Sequence, residues 1–199
     1  MRKVPTVFVR TFDAHHRITA CGPAVTPGCE WVLAGEGAAT LKWDGEAYRV
    51  HYGKLWRRYD AKPGRTPPPG AEPCESKPDP ITGHWPHWIP VTLEDPAMRV
   101  ARETFAFLVA RDGRTPEDGT YELVGPSVQR NPHRLDTHEF RRHGAHVLSP
   151  REPWTYATIR AWLEAHPQHE GLVFHHPDGL RAAKIKRSDL GLAWPPKES

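Results

Sequence analysis

The chain has 199 residues, 38% of them hydrophobic and eight of them tryptophan, which suits a folded protein with a sizeable core and argues against a disordered one. A net charge of +3, with thirteen histidines uncounted, permits a nucleic-acid partner but falls short of the basicity of dedicated binders. Three cysteines without C-x-x-C spacing argue against a disulfide framework or a cysteine zinc centre, and no apolar run approaches the roughly 20 residues that cross a bilayer. Met1 to Pro5 lacks the apolar stretch of a signal peptide, so the expected place is the cytoplasm, away from membranes.

Thr6 to Phe12 alternates and is β-branched, which predicts a strand. Residues 23–28 predict a loop, Trp31 to Leu33 a short strand, and Gly35 to Gly37 a turn. Strands at about 38–43, 46–52 and 54–60 follow so closely that they predict neighbours in one antiparallel sheet. From Lys62 to Pro96 the chain is dense in proline, including Pro67-Pro68-Pro69, so neither a helix nor a central strand is expected there. His84 and His87 would allow a metal pair, but packing is the plainer reading for so aromatic a stretch.

Asp95-Pro96 opens a helix, with Asp as the cap and Pro in the first turn. Ala97, Ala101, Phe105, Leu108 and Val109 continue it as a stripe, and Gly113 follows its end. Thr120 to Val124 and Ala145 to Leu148 predict strands. Thr155 caps a second helix with Tyr156, Ile159, Trp162 and Leu163 on one face. Leu172 to Phe174 and Ala182 to Ile185 flank a hairpin turn at His176 to Gly179. The sum is an α+β chain of antiparallel sheets flanked by helices.

Leu41-Lys42-Trp43-Asp44-Gly45 is the stretch with chemistry in it. A lysine that ends a strand at the lip of a cleft is desolvated, and desolvation with neighbouring cations favours the neutral, nucleophilic amine. Alone, the same residues also describe a solvated lysine beside an Asp-Gly turn. Further along stand Arg58, Tyr121-Glu122-Leu123-Val124-Gly125, Glu170-Gly171, and Lys184-Ile185-Lys186, whose two lysines share one face of a strand.

In this order the motifs resemble those of the covalent nucleotidyltransferases: ATP-dependent DNA ligases, RNA ligases and mRNA-capping enzymes. The chain looks closest to the small ATP-dependent 5′–3′ RNA ligase family known from vertebrates, with bacterial relatives. That closer likeness rests on residues 55–63, Gly-His-Trp-Pro-His-Trp-Ile-Pro-Val at 83–91, Asn131-Pro132, His-Gly-Ala-His at 143–146, and Leu-Gly-Leu-Ala-Trp-Pro at 190–195. The resemblance implies an adenylyltransferase (ATP-grasp-like ligase catalytic) domain over residues 1–199, with a Pro-rich excursion at about 62–96; the OB-fold of larger ligases is not expected, because little sequence follows Lys186.

It also implies residue roles. Lys42 would take AMP from ATP. Lys184 and Lys186 would neutralise phosphate oxygens, Arg58 would hold a ribose or phosphate oxygen, and Glu122 would accept from ribose hydroxyls. Glu170 would bind Mg2+, with Mn2+ as a substitute. His146 would stack on adenine, whose edge would meet the backbone near Thr40 and Leu41. The acceptor would be RNA with 5′-phosphate and 3′-hydroxyl ends, gripped by Arg130, Arg134, Arg141 and Arg142, with RNA end-processing enzymes as candidate partners. Two departures stand out: Leu41 where many relatives have Glu, and Ala47 where some phage RNA-repair ligases have Asn. Two rivals remain open at this point: the same chemistry on nicked DNA, and a non-catalytic RNA-binding module with a decayed nucleotide site.

Overall fold

The computed structural model describes residues 3–15, 18–80, 82–149 and 152–196. In chain order its elements are β1 (Phe8–Phe12), β2 (Ile18–Val25), α1 (Glu30–Leu33), β3 (Ala38–Lys42), β4 (Glu46–His51), β5 (Lys54–Ala61), β6 (Glu72–Pro73) and β7 (Trp85–Pro90). Then follow α2 (Arg99–Asp112), β8 (Gly119–Val124), β9 (Glu139–Arg142), β10 (Val147–Leu148), α3 (Tyr156–Ala165), β11 (Gly171–His175) and β12 (Ala182–Lys186). The fold is α+β with antiparallel sheets, as the sequence predicts. Two compact units divide it, and the chain passes between them at Lys3–Val4, at Trp43–Asp44 and again at His143–Gly144.

The first unit holds Lys3 and residues 44–143. Its six-stranded sheet runs β6-β7-β5-β4-β8-β9, antiparallel throughout. Tyr48, Val50, Leu55, Tyr121 and Leu123 point to one face, where α2 packs with Ala101, Val100 and Phe105. Full burial of such side chains stabilises by about 1.5–3 kcal/mol each. The helix starts where expected: the Asp95 side chain accepts from the Ala97 N–H at 2.9 Å, and a 3-10 turn at Pro96–Met98 leads into α2. Gly113, at φ 65°, ends it in the left-handed conformation.

One expectation fails here. A strand, β7, runs through the later half of the Pro-rich stretch and pairs with β5 along its length. The Val91 N–H bonds to the Leu55 carbonyl. Alternation then turns the nitrogens of Pro86 and Pro90 away from β5, toward the side covered only by the two-residue β6. A missing N–H costs little on an edge. Trp88, His87 and Ile89 are buried there, and His87 Nδ1 meets the Trp85 carbonyl, so His87 packs rather than ligates.

The second unit holds residues 4–43 and 144–199, of which the described ones form the sheet β10-β3-β11-β12 and the ribbon β1-β2. Ile159 and Leu163 of α3 pack on Leu172, Phe174, Ala183 and Ile185. Thr155 and Thr158 exchange capping hydrogen bonds at the start of α3, as the cap motif predicts. Residues 31–33 form a helical turn rather than a strand, with Trp31 and Val32 both buried, which one face of a strand could not do. Residues 23–25 belong to β2 rather than to a loop. The register slips from Phe8↔Val25 to Arg10↔Cys21, so Gly22-Pro23 sits in a bulge. Among the described residues, no helix is long and apolar enough to cross a membrane.

The largest correction concerns the stretch Leu41 to Gly45. β3 and β4 are not paired: β3 pairs with β10 and β11, whereas β4 pairs with β5 and β8. Asp44-Gly45 is the link between two sheets, not a hairpin turn.

Candidate functional site

β3, β11 and β12 line up three residues in one row: Lys42 faces Gly171, and Gly171 faces Lys186. The next row on the same face is Thr40, Val173 and Lys184. The opposite face carries Ala39, Leu172, Phe174, Ala183 and Ile185 and is the core. Strand alternation therefore gathers the lysines while the intervening residues anchor the strands. Leu41 falls on the core side opposite Leu172, so only its main chain is left for the adenine contact expected of it.

Glu170 enters β11 beside this row and is buried. Its Oε2 accepts from Lys42 Nζ at 2.5 Å, and Lys42 also donates to the Trp43 carbonyl at 3.2 Å. Lys184 bears the electrostatic strain. Burial first, then the charges of Lys42, Lys186 and Arg10, push its pKa down to about 8, against the pull of Glu170. Arg10 in β1, which sequence reasoning passed over, pairs with the buried Asp189 at 3.3 Å. A group so disposed suits a phosphate: clustered cations, one carboxylate, and no side chain on Gly171 between Lys42 and Lys186.

Trp43 is a second residue that sequence reasoning left without a role. Its ring meets that of His146 edge to face, 5.7 Å between centroids. His146 itself is exposed.

In the other unit, Glu122 sits on the sheet face turned away from α2 and is fully engaged. Oε1 accepts from the Gly45 N–H at 3.1 Å, and Oε2 accepts from His143 Nε2 at 2.9 Å. His143 Nδ1 meets Thr120 Oγ1 at 2.9 Å. The Asp44 N–H donates to His133 Nε2 at 2.9 Å. Neither histidine was assigned a part from sequence; their partners lie too far along the chain. Gly45 is required by space: a Cβ there would lie 2.1 Å from the Leu123 carbonyl.

A single row crosses this sheet face: Arg141, Glu122, Ala47, Arg58, Trp88 and Glu72, the pairing of Ala47 with Arg58 lying one residue along from Tyr48↔Arg57. Glu122 and Arg58 thus stand two strand spacings apart, about 10 Å, over the small Ala47. Arg58 pairs with Asp60 at 3.0 Å.

The four arginines expected to grip RNA do not share one face. Arg141 and Arg142 alternate on β9, so Arg141 lies on the Glu122 side, paired with Glu139 at 2.5 Å, and Arg142 points the other way, paired with Glu117. Arg130 and Arg134 are exposed on the preceding loop, both with positive φ.

Among the described residues, no group of three or more His, Cys, Asp or Glu gathers as a metal cage. Glu170 remains a fit for magnesium or manganese, because such an ion is commonly held by one or two carboxylates together with waters and substrate phosphates.

Residues 112–199 match the family model described as RNA ligase 1. No curated protein matches the chain. Among solved structures, a lysine-to-methionine variant of Naegleria gruberi RNA ligase with AMP and Mn is 13% identical, with a TM-score of 0.44 over 92% of this chain and 59% of that one. An arginine-to-alanine variant of the same ligase with ATP and Mn is 15% identical, with a TM-score of 0.45 over 92% and 59%. This chain spans 59% of the length of each.

Proposed function

We propose that this chain is an ATP-dependent RNA ligase that works through a covalent Lys42–AMP, with residues 1–199 forming one nucleotidyltransferase domain. The observation that carries the reading is the row Lys42–Gly171–Lys186, with Glu170 on the Lys42 amine and Lys184 in the next row. The match of residues 112–199 to RNA ligase 1 supports it.

The chemistry follows from the residues. Lys42 leaves Glu170, loses a proton, and its nitrogen attacks the α-phosphorus of ATP. A P–N bond forms, the bond to the β-phosphate oxygen breaks, and pyrophosphate departs. An oxygen of the RNA 5′-phosphate then attacks the same phosphorus; the P–N bond breaks and Lys42 takes a proton back. Finally the RNA 3′-hydroxyl attacks the activated 5′-phosphate and AMP leaves. Lys184 and Lys186 hold the charge that builds on the phosphate oxygens, and positioning does most of the rest. Glu170 would hold Mg2+, or Mn2+ in its place, which when bound supplies further neutralisation of phosphate charge. Glu122 is assigned to the ribose hydroxyls, Arg58 to a ribose or phosphate oxygen, and His146 to the adenine ring. Arg130, Arg134, Arg141 and Arg142 are assigned to RNA phosphates.

Incubation with Mg2+ and ATP labelled in the α-phosphate tests this. The expected result is label bound covalently to the protein, absent in Lys42→Ala, and passed on to 5′-phosphorylated RNA. Folded wild-type protein that takes no label overturns the reading. Transfer to nicked DNA but not to RNA replaces the acceptor.

A further inference from the structure

Beyond the lysine row, the same unit carries a group of rings that the proposed chemistry does not use. Pro167 cannot continue α3, and the chain turns back at its end: the His169 N–H donates to the His166 carbonyl at 3.2 Å. His166 Nδ1 donates to the Trp162 carbonyl at 2.7 Å, which fixes the ring against the last helical turn. The result is three nearly parallel rings. Trp162 and His166 stack at 4.1 Å and 15°, Trp162 and His169 lie 5.8 Å apart at 17°, and His166 and His169 6.4 Å apart at 25°.

This geometry differs from that of the core. Phe8 meets Tyr156 at 76° and Trp154 meets Phe174 at 83°, the edge-to-face packing by which rings fill a closed interior. These three rings instead lie flat on one another and are only partly buried, the arrangement that a further planar group extends by stacking. Their position also tells. His169 directly precedes Glu170, the carboxylate on Lys42. The cations of this unit, Lys184, Lys186 and Arg10, favour an anionic partner.

We infer that Trp162, His166 and His169 form a stacking platform for the bases of a single-stranded RNA end, leading that end to Lys42. The inference rests on the ligase reading and names where its RNA sits. Bases are the planar groups that an RNA strand offers, and stacking accepts any of the four, which suits an enzyme that joins ends of varied sequence. A base inside a duplex already has both faces covered, so the platform takes unpaired strands.

The test is fluorescence anisotropy of a labelled, 5′-phosphorylated single-stranded oligoribonucleotide without ATP. Trp162→Leu keeps apolar bulk against the core but removes the ring face, and should weaken binding about tenfold or more, the loss of one stacked base. Trp162→Phe should bind within about threefold of wild type. His166→Ala, at a half-exposed position, should weaken binding in the same sense and serves where Trp162→Leu does not fold. Label transfer from α-labelled ATP to Lys42 should persist in all three. Unchanged oligonucleotide affinity in folded Trp162→Leu or His166→Ala overturns the platform. So does a higher ATP requirement for labelling with RNA affinity intact, because the rings would then seat adenine. Wild-type protein that binds RNA through these rings but takes no label from ATP overturns the ligase reading and leaves the platform standing.

Discussion

Lys42 Nζ lies 2.5 Å from Glu170 Oε2, and the two side chains are only 20% and 8% exposed. Removing one member of so shielded a pair leaves the other charge poorly compensated, whereas removing both does not. Glu170→Gln should therefore lower stability by about 2 kcal/mol, less than a fully buried pair would cost because Lys42 keeps some solvent. Lys42→Met with Glu170→Gln should cost less than the two single changes added together. Urea unfolding of the four proteins measures the difference. Strictly additive losses would show that the pair contributes nothing to the fold.

His143 stands to Glu122 as a positioning residue. A carboxylate only accepts, so His143 Nε2 donates to it, and the Thr120 hydroxyl holds the far ring nitrogen. The Gly45 N–H fixes the other carboxylate oxygen. In His143→Ala the Glu122 side chain loses one charge-assisted hydrogen bond and its aim. The ATP concentration for half-maximal labelling of Lys42 should rise about tenfold, with the maximal rate within about threefold. An ATP titration of labelling reads both. A fall in maximal rate at unchanged half-saturation would mean that His143 acts elsewhere.

How far the sequence discloses this arrangement depends on the range of the contacts. Caps and turns are local, so Asp95, Thr155 and Gly113 announce both long helices. Alternation is local too, which puts Lys184 and Lys186 on one face from the sequence alone. Pairing is not local. The strand entering Lys42 and the strand leaving Gly45 read as hairpin partners because a turn and a passage between sheets use the same residues; the true partner of Lys42, Gly171, lies over a hundred residues on. β9 escapes notice because Glu-Phe-Arg-Arg is four residues long and reads first as a basic cluster. His143 and His133 hold their partners through single hydrogen bonds across the fold, which leave no spacing to recognise.

The proposed phosphate role of Lys184 carries a pH dependence. Its pKa of about 8 means that it is mostly charged at pH 7 and loses that charge as pH rises through 8. A phosphate held by that charge should bind more weakly from pH 8 upward. ATP affinity should fall over this range in the wild type, and the fall should flatten in Lys184→Arg, which stays charged throughout. Stability runs the opposite way. The folded pKa lies below the unfolded value near 10.4, so the unfolded chain binds more protons between the two. The penalty for burying this cation is fully present below pH 8 and is relieved as pH rises toward 10.4. Lys184→Met should remove that rise, seen in urea midpoints across the range; an identical slope in wild type and variant would exclude Lys184 as its source.

Gly171 separates Lys42 from Lys186 by having no side chain. A Cβ there would lie 2.1 Å from the Ile185 carbonyl oxygen and 2.9 Å from Lys186 Cα. Both are backbone atoms of β12, paired along the length of β11, so neither can rotate aside. Gly171→Ala must push the two strands apart, and with them the core residues Leu172, Phe174, Ala183 and Ile185 on the opposite face. The expected cost is about 3 kcal/mol or more, the upper range for overpacking. Gly179→Ala is the control: it has φ 69° but no atom within 4 Å of a new Cβ, so only left-handed strain of about 1–2 kcal/mol applies. Thermal unfolding should rank Gly171→Ala well below Gly179→Ala. Label uptake should fall in Gly171→Ala even at temperatures where it remains folded, because the lysines are displaced, and stay near wild type in Gly179→Ala. Equal melting temperatures for the two variants would mean that β11 and β12 do not approach as closely as the row Lys42–Gly171–Lys186 requires.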